Sequence, residues 1–243
     1  MSAARLDKYL ALSGERTRSE AGRLIRAGRV TVNGTPVRDP SVKVADGDEV
    51  ALDGHAVKDS AFQYYLFYKP AGVLTAARDS RARTVMDLLP EAFARRDVLP
   101  VGRLDKDTTG LLVLTNDGAL AHSLIDPRRH VWKRYEARVV GRLDEEDVTA
   151  FAQGMQLSDF TAKPANLAIL QVDDEESLGA VELREGKYHQ VKRMFASRGH
   201  EVLALHRPAF GPLKLDDGMQ PGAWRELTDE ETAALRAAVQ TKA

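Results

Sequence analysis

The chain has 243 residues, of which 43% are hydrophobic and 29% charged, with a net charge of −1 and no cysteine. This composition is ordinary for a globular protein, and the length fits a small module plus one catalytic domain. Disulfides, thiolate metal sites and a cysteine nucleophile are excluded. No apolar run could span a bilayer and the N-terminus lacks a signal peptide's hydrophobic stretch, so the expected location is cytoplasmic.

The near-neutral total conceals an uneven distribution. From Arg5 to Arg38 the chain carries Arg5, Lys8, Arg16, Arg18, Arg23, Arg26, Arg29 and Arg38 against Asp7, Glu15 and Glu20, whereas Asp39 to Asp59 is acidic. In chain order, Leu6, Tyr9 and Leu10 recur at helical spacing, and Ser13-Gly14 ends that segment. Thr17-x-x-Glu20 is a capping box that opens a second helix, and Gly28 closes it. Ala21, Leu24 and Ile25 share one face of this helix, while Arg18, Arg23 and Arg26 occupy an adjoining arc. Asn33-Gly34, Asp46-Gly47 and Asp53-Gly54 read as tight turns between short strands. The segment around His55 to Ala61 reads as a linker, giving a module over 1–58 and a domain over 62–243.

The rest of the chain mixes strands and helices without a βαβ rhythm. Strands are expected at Tyr64–Tyr68, Leu111–Thr115, Tyr135–Val140, Asn166–Val172, Ala180–Leu183 and Val202–His206. Helices are expected near Val85–Leu89, Asp144–Gln153 and His189–Ser197, and a last one begins at the capping box Thr228-x-x-Glu231. The fold class is therefore α+β: a small N-terminal α+β module, then a larger, mainly antiparallel mixed-sheet domain.

No dinucleotide or P-loop glycine pattern, zinc-type histidine spacing or G-x-S-x-G is present. The densest polar loop is Gly102-Arg103-Leu104-Asp105-Lys106-Asp107-Thr108-Thr109-Gly110, directly before an apolar strand. Loops held by a rigid strand commonly carry catalytic groups. On residues alone, Asp105 reads more readily as a turn former or solvated acid than as a nucleophile, and Arg103 equally as a surface ion pair.

The run GRLDKDTTGLLVLTNDG resembles the central motif of the pseudouridine synthases that act on ribosomal RNA, the RsuA group. Lys69-Pro70-x-Gly72, Lys133-Arg134-Tyr135 and the run from Glu185 through Lys187-Tyr188-His189-Gln190 to Lys192-Arg193-Met194-Phe195 follow in the order that group shows. The N-terminal module resembles the S4-type RNA-binding domain. The resemblance implies Asp105 as nucleophile, Lys192 as the cation paired with it, Tyr135 as the tyrosine stacked on the flipped uracil near its carbon 5 proton, and Arg103 as the residue that holds the extruded nucleotide. The same side chains have plain readings too: Lys192 and Arg193 as a solvated helix face, Tyr135 as a sheet-core aromatic.

RNA phosphates are expected to meet Arg5, Lys8, Arg18, Arg23, Arg26 and Arg29, together with Lys69 and Arg193. The expected partner is ribosomal RNA or a small-subunit assembly intermediate, acted on by a monomer with no cofactor, no metal and no membrane. The runs KYHQVKRMF, Leu205-His206-Arg207 and Thr161-Ala162-Lys163-Pro164-Ala165 look closest to the small-subunit enzymes. Competing readings are a large-subunit synthase, an inert RNA-binding assembly factor, a metal-dependent ribonuclease using Asp105 and Asp107, and an RNA methyltransferase, for which no glycine-rich cofactor loop is found.

Overall fold

The computed structural model describes residues 4–12, 16–45, 47–57 and 62–240. The chain divides into two compact units, Met1–Gln63 and Tyr64–Ala243.

In the first unit, α1 (Leu6–Leu12) and α2 (Arg18–Arg26) pack beside a small antiparallel sheet. That sheet is formed by β1 (Val30–Val32), β2 (Thr35–Val37), β3 (Val50–Leu52) and β4 (His55–Ala56). The box at the start of α2 closes in both directions. Glu20 N–H donates to the Thr17 hydroxyl at 3.2 Å, and Thr17 N–H donates to the Glu20 carboxylate at 2.7 Å. Asn33-Gly34 and Asp53-Gly54 take φ of 51° and 77°, and 52° and 80°, the left-handed pairs that a two-residue hairpin requires. Leu6, Leu10, Ala21, Ile25, Val30 and Val50 form the core. The expected stop at Ser13-Gly14 and the turn residue Asp46 lie outside the described residues.

In the second unit, nine strands of the described residues form one sheet. They are β5 (Tyr64–Lys69), β6 (Leu99–Pro100), β7 (Thr109–Thr115), β8 (Lys133–Val140), β9 (Asn166–Val172), β10 (Glu176–Leu183), β11 (Val202–Phe210), β12 (Leu213–Lys214) and β13 (Trp224–Glu226). The spatial order is β9-β10-β8-β11-β7-β5-β13, with β12 paired to β11 and β6 to β7. Pairing is antiparallel except between β7 and β11, where Thr109 and Gly110 lie opposite His206 and Arg207. Gly110 takes φ +119°, and a Cβ there would come within 2.3 Å of the Arg207 carbonyl oxygen, so the parallel junction demands glycine.

Alternation along the strands builds two apolar faces. Phe67, Leu112, Leu114, Tyr135, Ala137, Val181 and Leu183 point to one face, beneath Phe151 of α5 (Glu145–Gln153) and Met194 and Phe195 of α6 (Gln190–Ser197). Leu66, Leu111, Val113 and Phe210 point to the other, beneath Leu120 and Leu124 of α4 (Gly118–Ile125) and Leu235 of α7 (Asp229–Gln240).

The structure departs from the sequence reading at three helical segments and at the start of the expected linker, where His55–Ala56 form β4; residues 58–61 of that linker lie outside the described residues. β7 ends at Thr115, just before Asn116-Asp117-Gly118, as that turn signal implies, but α4 directly after it went unread; the Asp117 carboxylate caps it by accepting from Leu120 N–H at 3.0 Å. The short α3 (Glu91–Arg95), entered through Pro90, also went unread. Val85–Leu89 is shorter than expected, a 3-10 turn over Met86–Leu88.

Candidate active site

The polar loop before β7 is fixed by the segment after β5. Thr75 Oγ1 donates to the Leu104 carbonyl at 2.8 Å and accepts from Leu104 N–H at 3.1 Å. Gly72 N–H donates to the Lys106 carbonyl at 2.7 Å. The Lys69 ammonium donates to the carbonyls of Pro70, Lys106 and Thr108 at 2.9, 3.2 and 2.8 Å.

Lys69 is 0% exposed. Burial lowers its pKa to about 8, partly opposed by Asp107 and Asp105. The expectation that Lys69 meets RNA phosphate is therefore corrected. Its ammonium is enclosed and saturated by carbonyls, and its work is to hold the loop that carries Asp105. This accounts for a Lys-Pro-x-Gly motif set more than 30 residues before that loop.

The loop forms one wall of a cleft of about 70 Å³. Arg103, Leu104, Asp105 and Thr108 line this wall, Tyr135, Leu183 and Leu205 of the sheet line the floor, and residues 185–187 and 189–191 form the opposite wall. Asp105 is partly exposed, with His189 Nε2 at 3.6 Å from Oδ1 and Lys192 Nζ at 3.9 Å from Oδ2. Lys192 is more tightly held by Asp107, whose two carboxylate oxygens lie at 2.7 and 2.6 Å. The cation expected to pair with Asp105 is thus shared, with Asp107 as its nearer partner. The hydrogen bond from Lys192 holds the Asp107 carboxyl below its usual range. The Thr108 hydroxyl is buried and, among the described residues, has no hydrogen-bond partner.

The opposite wall is set by Glu185, which is buried and accepts from Lys163 N–H at 3.0 Å and from Gln190 Nε2 at 2.9 Å. His189 takes the left-handed conformation (φ 50°) just before α6, and Tyr188 stacks on it with ring centroids 3.8 Å apart. Arg193 turns elsewhere: it pairs with Asp159, bonds Ser158 Oγ at 2.9 Å and covers the Phe160 ring. Arg103, Asp105, Tyr135 and Lys192 therefore converge, whereas Arg193 and Lys69 stand apart from the cleft surface.

Sequence reasoning quoted Glu185, His189 and Arg207 within its motif runs but gave none of them a role in this region. Arg207 had a readable signal, a charged residue two positions after Leu205 on the inward-facing side of a strand. Its Nη1 lies 3.4 Å from the Tyr135 hydroxyl.

In the first unit, Arg5, Arg18, Arg23, Arg26 and Arg29 are exposed and Lys8 is half-buried. Several have acidic partners. Asp7 is buried and bridges Arg5 and Arg18, Asp53 pairs with Arg29, and Glu20 stands 4.0 Å from Arg23. Among the described residues, Lys8 and Arg26 have no carboxylate partner.

Among the described residues, no helix is long and apolar enough to cross a membrane and no group of three His, Asp or Glu residues is arranged to hold a metal ion. Residues 63–197 match the family described as RNA pseudouridylate synthase, and residues 4–50 match the S4 domain. The chain is 42% identical over 95% of its length to an uncharacterized RNA pseudouridine synthase of Bacillus subtilis, YtzG, covering 98% of that protein. It is 38% identical, over 95% of its length and 99% of the relative, to a ribosomal small subunit pseudouridine synthase A of Pasteurella multocida. It is equally 38% identical, over 96% of each chain, to the ribosomal large subunit pseudouridine synthase B of Bacillus subtilis. A crystal structure of a pseudouridylate synthase superposes with a TM-score of 0.66 at 34% identity, covering 96% of this chain and 100% of that one. With the motifs in order, an S4 domain ahead of them and full-length relatives of one kind, the chain belongs to the RNA pseudouridine synthase family.

Proposed function

We propose that this enzyme converts one uridine of small-subunit ribosomal RNA to pseudouridine, with Asp105 as the nucleophile. The observation that carries the reading is the convergence of Arg103, Asp105 and Tyr135 on one cleft, with Lys192 3.9 Å from the Asp105 carboxylate. The reaction breaks the bond between ribose and uracil N1, turns the base and joins carbon 5 to the same ribose carbon. Overall one proton leaves carbon 5 and one arrives at N1, so substrate and product are isomers. A carboxylate can act covalently at the sugar or at the pyrimidine ring. Lys192 and His189 flank it on either oxygen, at 3.9 and 3.6 Å.

Arg103, exposed at the mouth, is the group available to the extruded nucleotide or its phosphate. Tyr135 lies in the floor, where a base turned into the cleft would stack on its ring. The S4 module supplies sequence-independent phosphate contacts through Lys8, Arg26 and their paired neighbours. A monomer acting in the cytoplasm on an assembly intermediate completes the reading.

The choice of the small subunit rests on the runs at 161–165, 187–195 and 205–207. A large-subunit target is the second reading, favoured by the equal identity to a relative named for that activity. The test is pseudouridine mapping on both unmodified rRNAs and on partly assembled particles, with wild type and Asp105→Asn. A single modified site in small-subunit rRNA, lost in the variant, is the expected result. Modification of large-subunit rRNA alone would move the assignment to the second reading. An Asp105→Asn enzyme with full activity would remove the nucleophile.

A further inference from the structure

Beneath the cleft lies a charge that the reaction outlined above does not use. Arg207 on β11 is 3% exposed. Its Nε and Nη2 both donate to the Leu111 carbonyl, at 3.0 and 2.8 Å, and its Nη1 donates to the Tyr135 hydroxyl at 3.4 Å. The guanidinium lies 5.2 Å from the Phe210 ring centroid and 5.9 Å from that of Tyr135. Among the described residues no carboxylate is within ion-pair distance of it. A buried cation without an acid is expensive, and arginine has no route to neutrality. Packing needs alone would be better met by an apolar side chain of similar volume.

The geometry at Tyr135 suggests what offsets that cost. A guanidinium only donates, so the phenol oxygen must be the acceptor of this contact, and the phenol's own proton must point elsewhere. Donors aimed in advance at an atom where negative charge develops are most effective in a water-excluded site. Other charged groups also face Tyr135. Lys133 precedes it by two residues on β8 and is buried; its pKa is lowered to about 8 by burial and then by Arg207, while Glu185 opposes the shift. Glu185, Lys187 and His189 approach from the wall after β10, and Arg103 and Asp105 from the loop before β7. Of these, only Arg207 has a donor within hydrogen-bond distance of the hydroxyl.

We propose that Arg207 is a positioning residue for the isomerisation, acting through Tyr135: it steadies negative charge on the phenol oxygen so that Tyr135 takes the proton from carbon 5 of the rejoined base. In this step the carbon 5–hydrogen bond breaks and its electron pair restores the ring double bond between carbons 5 and 6. The phenol first gives up its own proton to water, the carbon 5 proton then takes that place on the tyrosine oxygen, and N1 gains its proton from water. The inference rests on the cleft being the active site with Tyr135 in it.

The experiment is a double-mutant cycle with Arg207→Lys and Tyr135→Phe under single-turnover conditions, on RNA carrying uridine or 5-deuterouridine. Arg207→Lys keeps the charge but loses the fork that reaches both Leu111 and Tyr135. The expected result is a rate about 100-fold lower, the lower end of the range for general acid–base groups, with KM unchanged. The deuterium isotope effect should exceed the wild type's, and the same substitution should add little in the Tyr135→Phe background. An equal slowing in both backgrounds with no change in isotope effect would reduce Arg207 to packing and overturn the inference. If Asp105→Asn, run alongside, is fully active, the reading of the cleft fails instead. Should thermal melting show that Arg207→Lys does not fold, 3-fluorotyrosine at position 135 replaces it. That weaker base should raise the isotope effect, and an unchanged effect would overturn the proposal.

Discussion

Lys69 shows how far a residue's chemistry depends on where its atoms end up. A lysine in a motif shared with RNA enzymes invites a phosphate contact, but here its ammonium is sealed between the carbonyl of Pro70 and those of Lys106 and Thr108 in the loop that carries Asp105. Replacing it with methionine would leave buried carbonyls unpaired, at a cost of about 2–3 kcal/mol. Lys69→Met is therefore expected to lower the melting temperature and kcat together. The salt dependence of RNA binding should stay as in wild type, which a phosphate contact would not allow. Parallel thermal melts, turnover assays and binding titrations check this. Lys192 teaches a related lesson: Asp107, two residues after Asp105, holds its ammonium with both oxygens, and sequence distance alone could not say which acid is nearer.

At the level of elements, the join between α5 and the end of α6 is made by one buried acid. Asp147 is 2% exposed and completes the capping box of α5, accepting from Asp144 N–H at 3.1 Å. It also accepts from Arg198 Nε at 2.8 Å and lies 3.1 Å from His200 Nε2. Burial pushes its pKa upward, but the bonds from Arg198 and the Asp144 backbone and the nearby His200 outweigh this, leaving it below the usual value. A depressed carboxylate contributes stability that is present above its unfolded pKa of about 4 and is lost as pH falls through the lower folded pKa. Asp147→Asn is expected to cost about 1.5–3 kcal/mol at neutral pH, because it removes a buried carboxylate that accepts a charge-assisted hydrogen bond from Arg198. It should also flatten the decline in stability below about pH 4, as urea titrations at a series of pH values would show. Capping itself was legible in advance: the boxes at Thr17 and Thr228 start helices where their side chains say they should. The strand stop at Asn116-Asp117-Gly118 holds, and α4 went unread because a Gly after an Asn-Asp pair fits a turn as well as it fits the first residue of a helix.

At the scale of the whole molecule, a chain of net charge −1 is matched to an RNA-modifying family. Its basic face is local to the S4 unit and partly neutralised in place by Asp7, Asp53 and Glu20. If five charges engage phosphates, the logarithm of the affinity should fall against the logarithm of salt with a slope of about −3.5, near −0.7 per contact. Lys8→Ala combined with Arg26→Ala should reduce the steepness by about 1.4, since neither cation has a competing acid among the described residues. An unchanged slope would place the phosphate contacts on other residues.

The sequence by itself determined the α+β class, the main strands, the capped helices and the family, because these follow from local periodicity, turn chemistry and motifs of contiguous residues. It also named Arg103, Asp105, Tyr135 and Lys192, which the fold draws toward one cleft from segments as much as 89 positions apart. Only the tertiary structure decided that Lys69 is a clamp and that Asp107 shares Lys192. It alone put Arg207 behind Tyr135, through a parallel junction that requires Gly110. The physical reason is burial. Whether a charged side chain meets solvent, a carbonyl or a phenol is fixed by which strands pair and which faces they cover, and that information resides in no single stretch of chain.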